Sequence, residues 1–160
     1  MQSFFIANSD MILKLSLALL FGIFVGLERT IAGKQAGMRT YGLVTMGSCL
    51  FVLIAESLRP LYAGYPGYNP IFMASQIIVG IGFLGAGLII LQGQSVHGLT
   101  TAAGLWVAAG VGMAVGFGLY AMAFVVTVLT LIIFSLLWRV ERTISPATVP
   151  EPSVRRKKKA

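Results

Sequence analysis

Residues 75–91 read SQIIVGIGFLGAGLIIL, an apolar stretch of lipid-crossing length that carries Gly80, Gly82, Gly85 and Gly87. Glycine at that density is costly in a water-soluble helix. At 100° per residue, Gln76, Gly80 and Gly87 fall within about 40° of one another, and Gly82, Gly85 and Ala86 cluster on the opposite face. In a bilayer, where lipid tails remove the hydrophobic drive between helices, small residues let backbones approach closely enough to gain van der Waals contact. Two smooth faces predict a central helix with neighbours on both sides.

The same residues spell G-x-G-x-x-G from Gly80 to Gly85. A dinucleotide site needs a preceding strand, a glycine turn opening a helix, and an acidic residue about 20 positions on. The match instead lies inside an apolar run, and no Asp or Glu occurs between Glu56 and Glu141. It is read as helix packing.

Composition agrees with a membrane protein. Only 11% of the 160 residues are charged, against about 25% in soluble domains, and mean hydropathy is +0.88. The net charge of +7 is local, because seven of the twelve Lys and Arg lie after Trp138. The lone Cys49 excludes an internal disulfide.

Working outward, residues 11–27, 41–58, 71–91, 101–119 and 120–138 are the expected spans, so the fold class is an all-α integral membrane bundle of about five helices. Apolar character runs unbroken from Thr101 to Trp138; one helix there would be about 57 Å long, nearly twice the hydrocarbon thickness, so a hairpin is placed at Gly116, Gly118 and Tyr120. Small residues recur every four positions in two seams. The first is Ala18, Gly22 and Gly26, continuing the spacing from Lys14; the second is Gly104, Ala108, Gly112 and Gly116. With Gly80, Gly82, Gly85 and Gly87, these glycines are the expected helix-packing positions. Residues 1–138 form the expected transmembrane domain, and 139–160, broken by Pro146, Pro150 and Pro152 and ending RRKKKA, a basic disordered tail. The first ten residues lack the basic region of a cleavable signal and are expected to be retained.

Five spans put the termini on opposite sides. Ten of the twelve cations lie in residues 28–39 or after Trp138, which an odd span count places on one side. The positive-inside rule makes that side cytoplasmic, giving N-terminus out and C-terminus in.

Under that topology a cytoplasmic mouth collects Glu28, Arg29, Arg39, Thr40, His97, Thr100 and Thr101. Glu28 and Arg39 each sit where a helix leaves the membrane, and an ion pair between them would clamp the first two spans. The alternatives are an interfacial brace, an ion or ligand site, and a docking surface. Thr100 and Thr101 are expected to cap the fourth span, His97 to hydrogen-bond within its loop, and Trp106 to pack inside its span. Two polar residues lie within spans. Lys14 either pairs with Asp10 and snorkels or marks a pathway; Gln76 is either structural glue or pore lining. No CxxC or HExxH occurs, so no enzyme activity, cofactor or dedicated metal site is expected, and no nucleic-acid partner. Glu28 or Glu56 could contribute to a metal path only as rings in a homo-oligomer.

Four blocks, G-L-E-R at 26–29, A-G-M-R-T at 36–40, Q-I-I-V-G-I-G-F-L-G-A-G at 76–87 and G-L-T-T-A-A-G-L-W at 98–106, resemble the membrane domain of the MgtC/SapB (YhiD) family in the family's order. The resemblance covers about residues 13–137 and implies a multi-pass protein of the bacterial inner membrane. It also implies a role in magnesium homeostasis, stress or survival in a host, with inhibition of the F-type ATP synthase as one mechanism and that complex as a partner. His97 stands where many relatives have Arg or Lys, and Thr30 where another charge is common. The basic tail in place of a soluble C-terminal domain points to the shorter SapB-like branch. Three functions follow: a regulator acting through helix contacts, an oligomeric transporter or channel for a small ion such as magnesium, and a binder of lipid or metabolite at the mouth.

Overall fold

A computed structural model describes residues 8–62, 64–65 and 69–144. Residues 1–7, 63, 66–68 and 145–160, the last being most of the expected basic tail, lie outside the described residues. The chain runs α1 (Ser9–Ile31), α2 (Met38–Tyr62), α3 (Pro70–Leu88), β1 (Ile90–Gln92), β2 (Ser95–His97), α4 (Leu99–Gly116) and α5 (Tyr120–Ile132). A π-helical turn, Ile133–Leu137, then joins α5 to α6 (Trp138–Ile144). Five of these stretches are long and apolar enough to cross a membrane, the last being Tyr120–Val140. Helix continues through Ile144, past residue 138, the boundary expected for the tail.

The end of α4 shows why the apolar run turns. Gly118 takes a positive φ of 76°, while its N–H and that of Leu119 bond back to the carbonyls of Val115 and Ala114. This left-handed closure satisfies the last carbonyls of the helix. The α1–α2 link is built likewise: Gly33 has φ 66°, and the N–H of Lys34 bonds to Arg29 O at 2.9 Å. Thr30 then caps the next helix across the gap, accepting from Met38 N at 3.2 Å while donating to Gly26 O at 2.9 Å.

The central helix is α4, which corrects the expectation for α3. Within their spans, 61% of α4 is buried against 17% of α3. Helix α4 touches α1, α2, α3 and α5, whereas α3 packs chiefly on α4 and α2. The physical reason is that glycine permits close approach but does not supply a neighbour. A Cβ built on Gly112 would fall on the Thr45 carbonyl, with Thr45 C at 2.8 Å and Ser48 Cβ at 2.9 Å. One on Gly116 would stand 2.7 Å from Val52 Cβ, one on Gly22 2.8 Å from Gly42 Cα, and one on Gly26 2.6 Å from Met38 Cα. Gly85 faces Ala102 at an ordinary 3.6 Å, but Gly80, Gly82 and Gly87 have nothing within 4 Å. Those three, expected at helix contacts, lie on the open side of α3.

The stretch after α3, read as a plain polar loop, is an antiparallel hairpin pairing Ile90 with His97 and Gln92 with Ser95, turned by Gly93 at φ 64°. It shortens α3 to Leu88. Gly98, φ 88°, opens α4 because the Leu88 carbonyl occupies the place of a Cβ. Thr100 and Thr101 therefore do not cap this helix; no side-chain cap bond forms there. Trp106, expected to pack inside, is 55% exposed on the outer surface, where an amphipathic ring suits lipid.

Candidate functional site

Buried residues of α1 fall at Ala18, Gly22, Val25, Gly26 and Arg29, one helical stripe that ends in a charge. Arg29 is 2% exposed. Its guanidinium carbon lies 3.7 Å from the centroid of the Phe134 ring, Nη2 donates to Phe134 O at 3.4 Å, and Nε donates to a Glu28 carboxylate oxygen. A cation on an aromatic face, with a carboxylate partner and a carbonyl acceptor, is how Arg tolerates burial. Position contributes too: Arg29 lies in the last turn of α1, where the helix dipole favours a cation.

Phe134 reaches Arg29 from inside the π-helical turn, a feature that widens the ladder by one residue and often marks functional sites. Across the core its ring fills the space left by Gly104, where an added Cβ would meet the Tyr41 hydroxyl and stand 2.5 Å from Phe134 Cζ. Tyr41, fully buried, donates to Thr101 O at 3.3 Å. Four spans are thus joined at one end of the bundle by Arg29 from α1, Tyr41 from α2, Thr101 and Gly104 from α4, and Phe134 beyond α5.

Of the residues expected at the mouth, the structure brings Glu28, Arg29 and Thr101 together. Arg39 and Thr40 are exposed at the start of α2, Thr100 is exposed in the first turn of α4, and His97 is half-buried in β2. The Glu28–Arg39 clamp does not form: the Glu28 carboxylate is taken by Arg29. Arg39 sits about 200° around α2 from the buried Tyr41 and so points away from the core. Tyr41 and Phe134 escaped sequence reading. Arg29→Ala aside, exposed cations here carry little: Arg39→Ala and Lys34→Ala are both expected to stay within about 0.5 kcal/mol of the parent. A thermal-shift series in detergent checks this, and a large loss for Arg39→Ala would return it to the site.

The other polar residues are dispersed. Lys14 pairs with Asp10 at 2.8 Å, and Glu56 with Arg59 at 3.5 Å. Glu28 and Glu56 lie at opposite ends of the antiparallel α1–α2 pair, about 27 Å apart along the axis, so one protomer cannot join them in a site. Among the described residues no three potential metal-ligating side chains cluster. Gln76 is exposed on α3. Chemically the arrangement around Arg29 is a latch whose outward component is the Glu28 carboxylate, 21% exposed.

Residues 15–143 match the model of the MgtC family. The chain is 38% identical over 128 residues to the putative magnesium transporter YhiD of Escherichia coli K12, covering 79% of this chain and 60% of that protein. It is 38% identical over 154 residues to Protein SapB of Bacillus subtilis, covering 92% and 65%. With Protein MgtC of Salmonella typhimurium LT2 it shares 37% over 120 residues, covering 75% and 49%. The chain thus spans about half to two thirds of the length of these relatives. No solved structure matches it.

Proposed function

This chain belongs to the MgtC family of multi-pass bacterial inner-membrane proteins, and from that premise we propose that it is a regulator of another membrane complex or of ion homeostasis, presenting the latched end of its bundle as a docking surface. The observation that carries this reading is the closure of the interior. From Gly104 to Gly116, α4 lies directly on α2, with Gly112 against the Thr45 backbone and Gly116 against Val52 and the Cys49 carbonyl. A helix seated on backbone leaves no width for a hydrated ion between α2 and α4, the two most buried spans of the bundle.

A transport reading draws on the printed name of the relative YhiD, a putative magnesium transporter. Dedicated magnesium paths use carboxylates and retained waters, and an oligomer could assemble Glu28 into a ring around an axis outside the protomer. Flux separates the two. Purified protein in proteoliposomes is expected to admit magnesium no faster than protein-free liposomes. Flux above that level overturns the regulatory reading, and its loss in Glu28→Gln would assign the path to a Glu28 ring.

The latched end is proposed to face the cytoplasm, on the strength of the cations in residues 28–39. In a Cys49→Ala background, Lys34→Cys is expected to resist a membrane-impermeant maleimide in intact cells and to label after permeabilisation. Labelling in intact cells would invert the topology.

A further inference from the structure

Helix α3 leaves one face bare. Gln76, Val79, Gly80, Phe83, Ala86 and Gly87 form a stripe at heptad spacing, and every one of them is exposed. The opposite face, at Ile81 and Gly85, is the side that packs on α2 and α4. Beside the stripe runs a groove of about 450 Å³ between α2 and α3, lined almost wholly by apolar side chains and by Gly47, with Gln76 and Gly80 at its rim. Gly47, like Gly80 and Gly87, has nothing within 4 Å of a built Cβ.

Two features say what covers this face. The first is Gln76. It lies about 9 Å inside the N-terminal end of α3, and the 19 residues of that helix give only about 28 Å, so the whole helix is needed to cross the hydrocarbon. Among the described residues no hydrogen bond is made by its amide. Lipid tails offer an amide neither donor nor acceptor, and a bare one in hydrocarbon is unfavourable. The second is shape. Phe83 is 81% exposed, the highest of any large hydrophobic side chain among the described residues. Gly80, Phe83, Leu84 and Gly87 stand at i, i+3, i+4 and i+7, the four corners of a knobs-into-holes socket. Two of the corners are glycine, which makes room for an aromatic knob.

We infer that the α3 stripe is the interface of a parallel twofold dimer, with Gln76 amides paired across the axis and Phe83 of each copy seated in the Gly80–Gly87 socket of the other. Membrane insertion gives both copies one orientation, so the twofold axis stands normal to the bilayer and brings identical residues together at identical depth. Gln76 then meets Gln76, and an amide is its own complement, one donating and the other accepting. The interface is isologous and closed, which limits assembly to two.

The test uses the full chain in lipid nanodiscs or liposomes with Cys49→Ala. Gln76→Cys and Phe83→Cys are expected to form disulfide-linked dimers under mild oxidation, at least tenfold above Leu129→Cys, an exposed position on α5, which has no extensive contact with α3. Gly80→Leu is expected to lower the dimer fraction of the otherwise unmodified chain at least tenfold, read as mass by light scattering or native mass spectrometry. Its monomer should keep its thermal midpoint, because a Cβ there meets nothing within 4 Å. A monomeric parent, equal cross-linking at Gln76→Cys and Leu129→Cys, or a dimer indifferent to Gly80→Leu would each overturn the interface and leave lipid or water over the groove.

Discussion

Gly112→Leu is expected to prevent α4 from seating on α2, lowering stability by more than the 1–3 kcal/mol typical of an overfilled core. The usual cost applies where neighbouring side chains can rotate aside. Here the neighbour is the Thr45 carbonyl, fixed within α2, and the next atoms are Thr45 C at 2.8 Å and Ser48 Cβ at 2.9 Å. Because α4 also touches α1, α3 and α5, moving it away from α2 disturbs its contacts with those three helices as well. Gly112→Ala already meets these atoms and should lose about 1–3 kcal/mol; Gly112→Leu should fail to give a monodisperse peak by fluorescence-detected size exclusion in detergent. Gly47→Leu is the matched control, with the same change on a helix of the same bundle and nothing within 4 Å of the added atom. Equal thermal midpoints for Gly112→Leu and Gly47→Leu would show that α4 does not rest on the α2 backbone.

The same contrast explains what the sequence could and could not disclose. The seam Gly104, Ala108, Gly112, Gly116 keeps one four-residue period over a full span, and the structure puts all four in the core. Small residues on α3 repeat nearly as well, yet of its four glycines only Gly85 meets a neighbour in the protomer. Periodicity identifies a smooth face; it carries no information about which helix arrives to cover it, since that depends on loop lengths and on the whole order of packing. The candidate site divides in the same way. Arg29 follows Gly22 by seven residues, only about 20° away around the helix, so its burial was legible in the phase of α1. Arg39 follows the opposite logic, and its phase against Tyr41, Thr45 and Ser48 marks it as outward. Phe134 had no such signal. Its approach to Arg29 depends on a π-helical turn with no Gly or Pro to announce it, and that turn belongs to tertiary packing.

That turn also sets the second large effect. Arg29→Leu is expected to cost on the order of 3 kcal/mol, the low end of the range for breaking a buried ion pair, because the Glu28 side chain left behind is 21% exposed and can recover some hydration. Three contacts are lost at once: the carboxylate on Nε, the Phe134 carbonyl on Nη2 and the ring face at 3.7 Å. Arg29→Lys separates charge from shape. An ammonium keeps the ion pair but has neither the planar fork nor the flat face that lies on the ring, so it should recover only part of the loss. The stack can be isolated by a cycle of Arg29→Lys with Phe134→Leu, where a coupling of about 1–2 kcal/mol is expected for a desolvated cation on an aromatic face. Additive losses would mean that Phe134 merely fills the Gly104 notch. If the latch is the docking element, Glu28→Gln should do the reverse of Arg29→Lys: it alters the outward carboxylate while an amide oxygen still accepts from Nε, so it should weaken partner function with a smaller stability loss. A Glu28→Gln variant as unstable as Arg29→Leu would make the pair a brace for α1 and remove it from the docking surface.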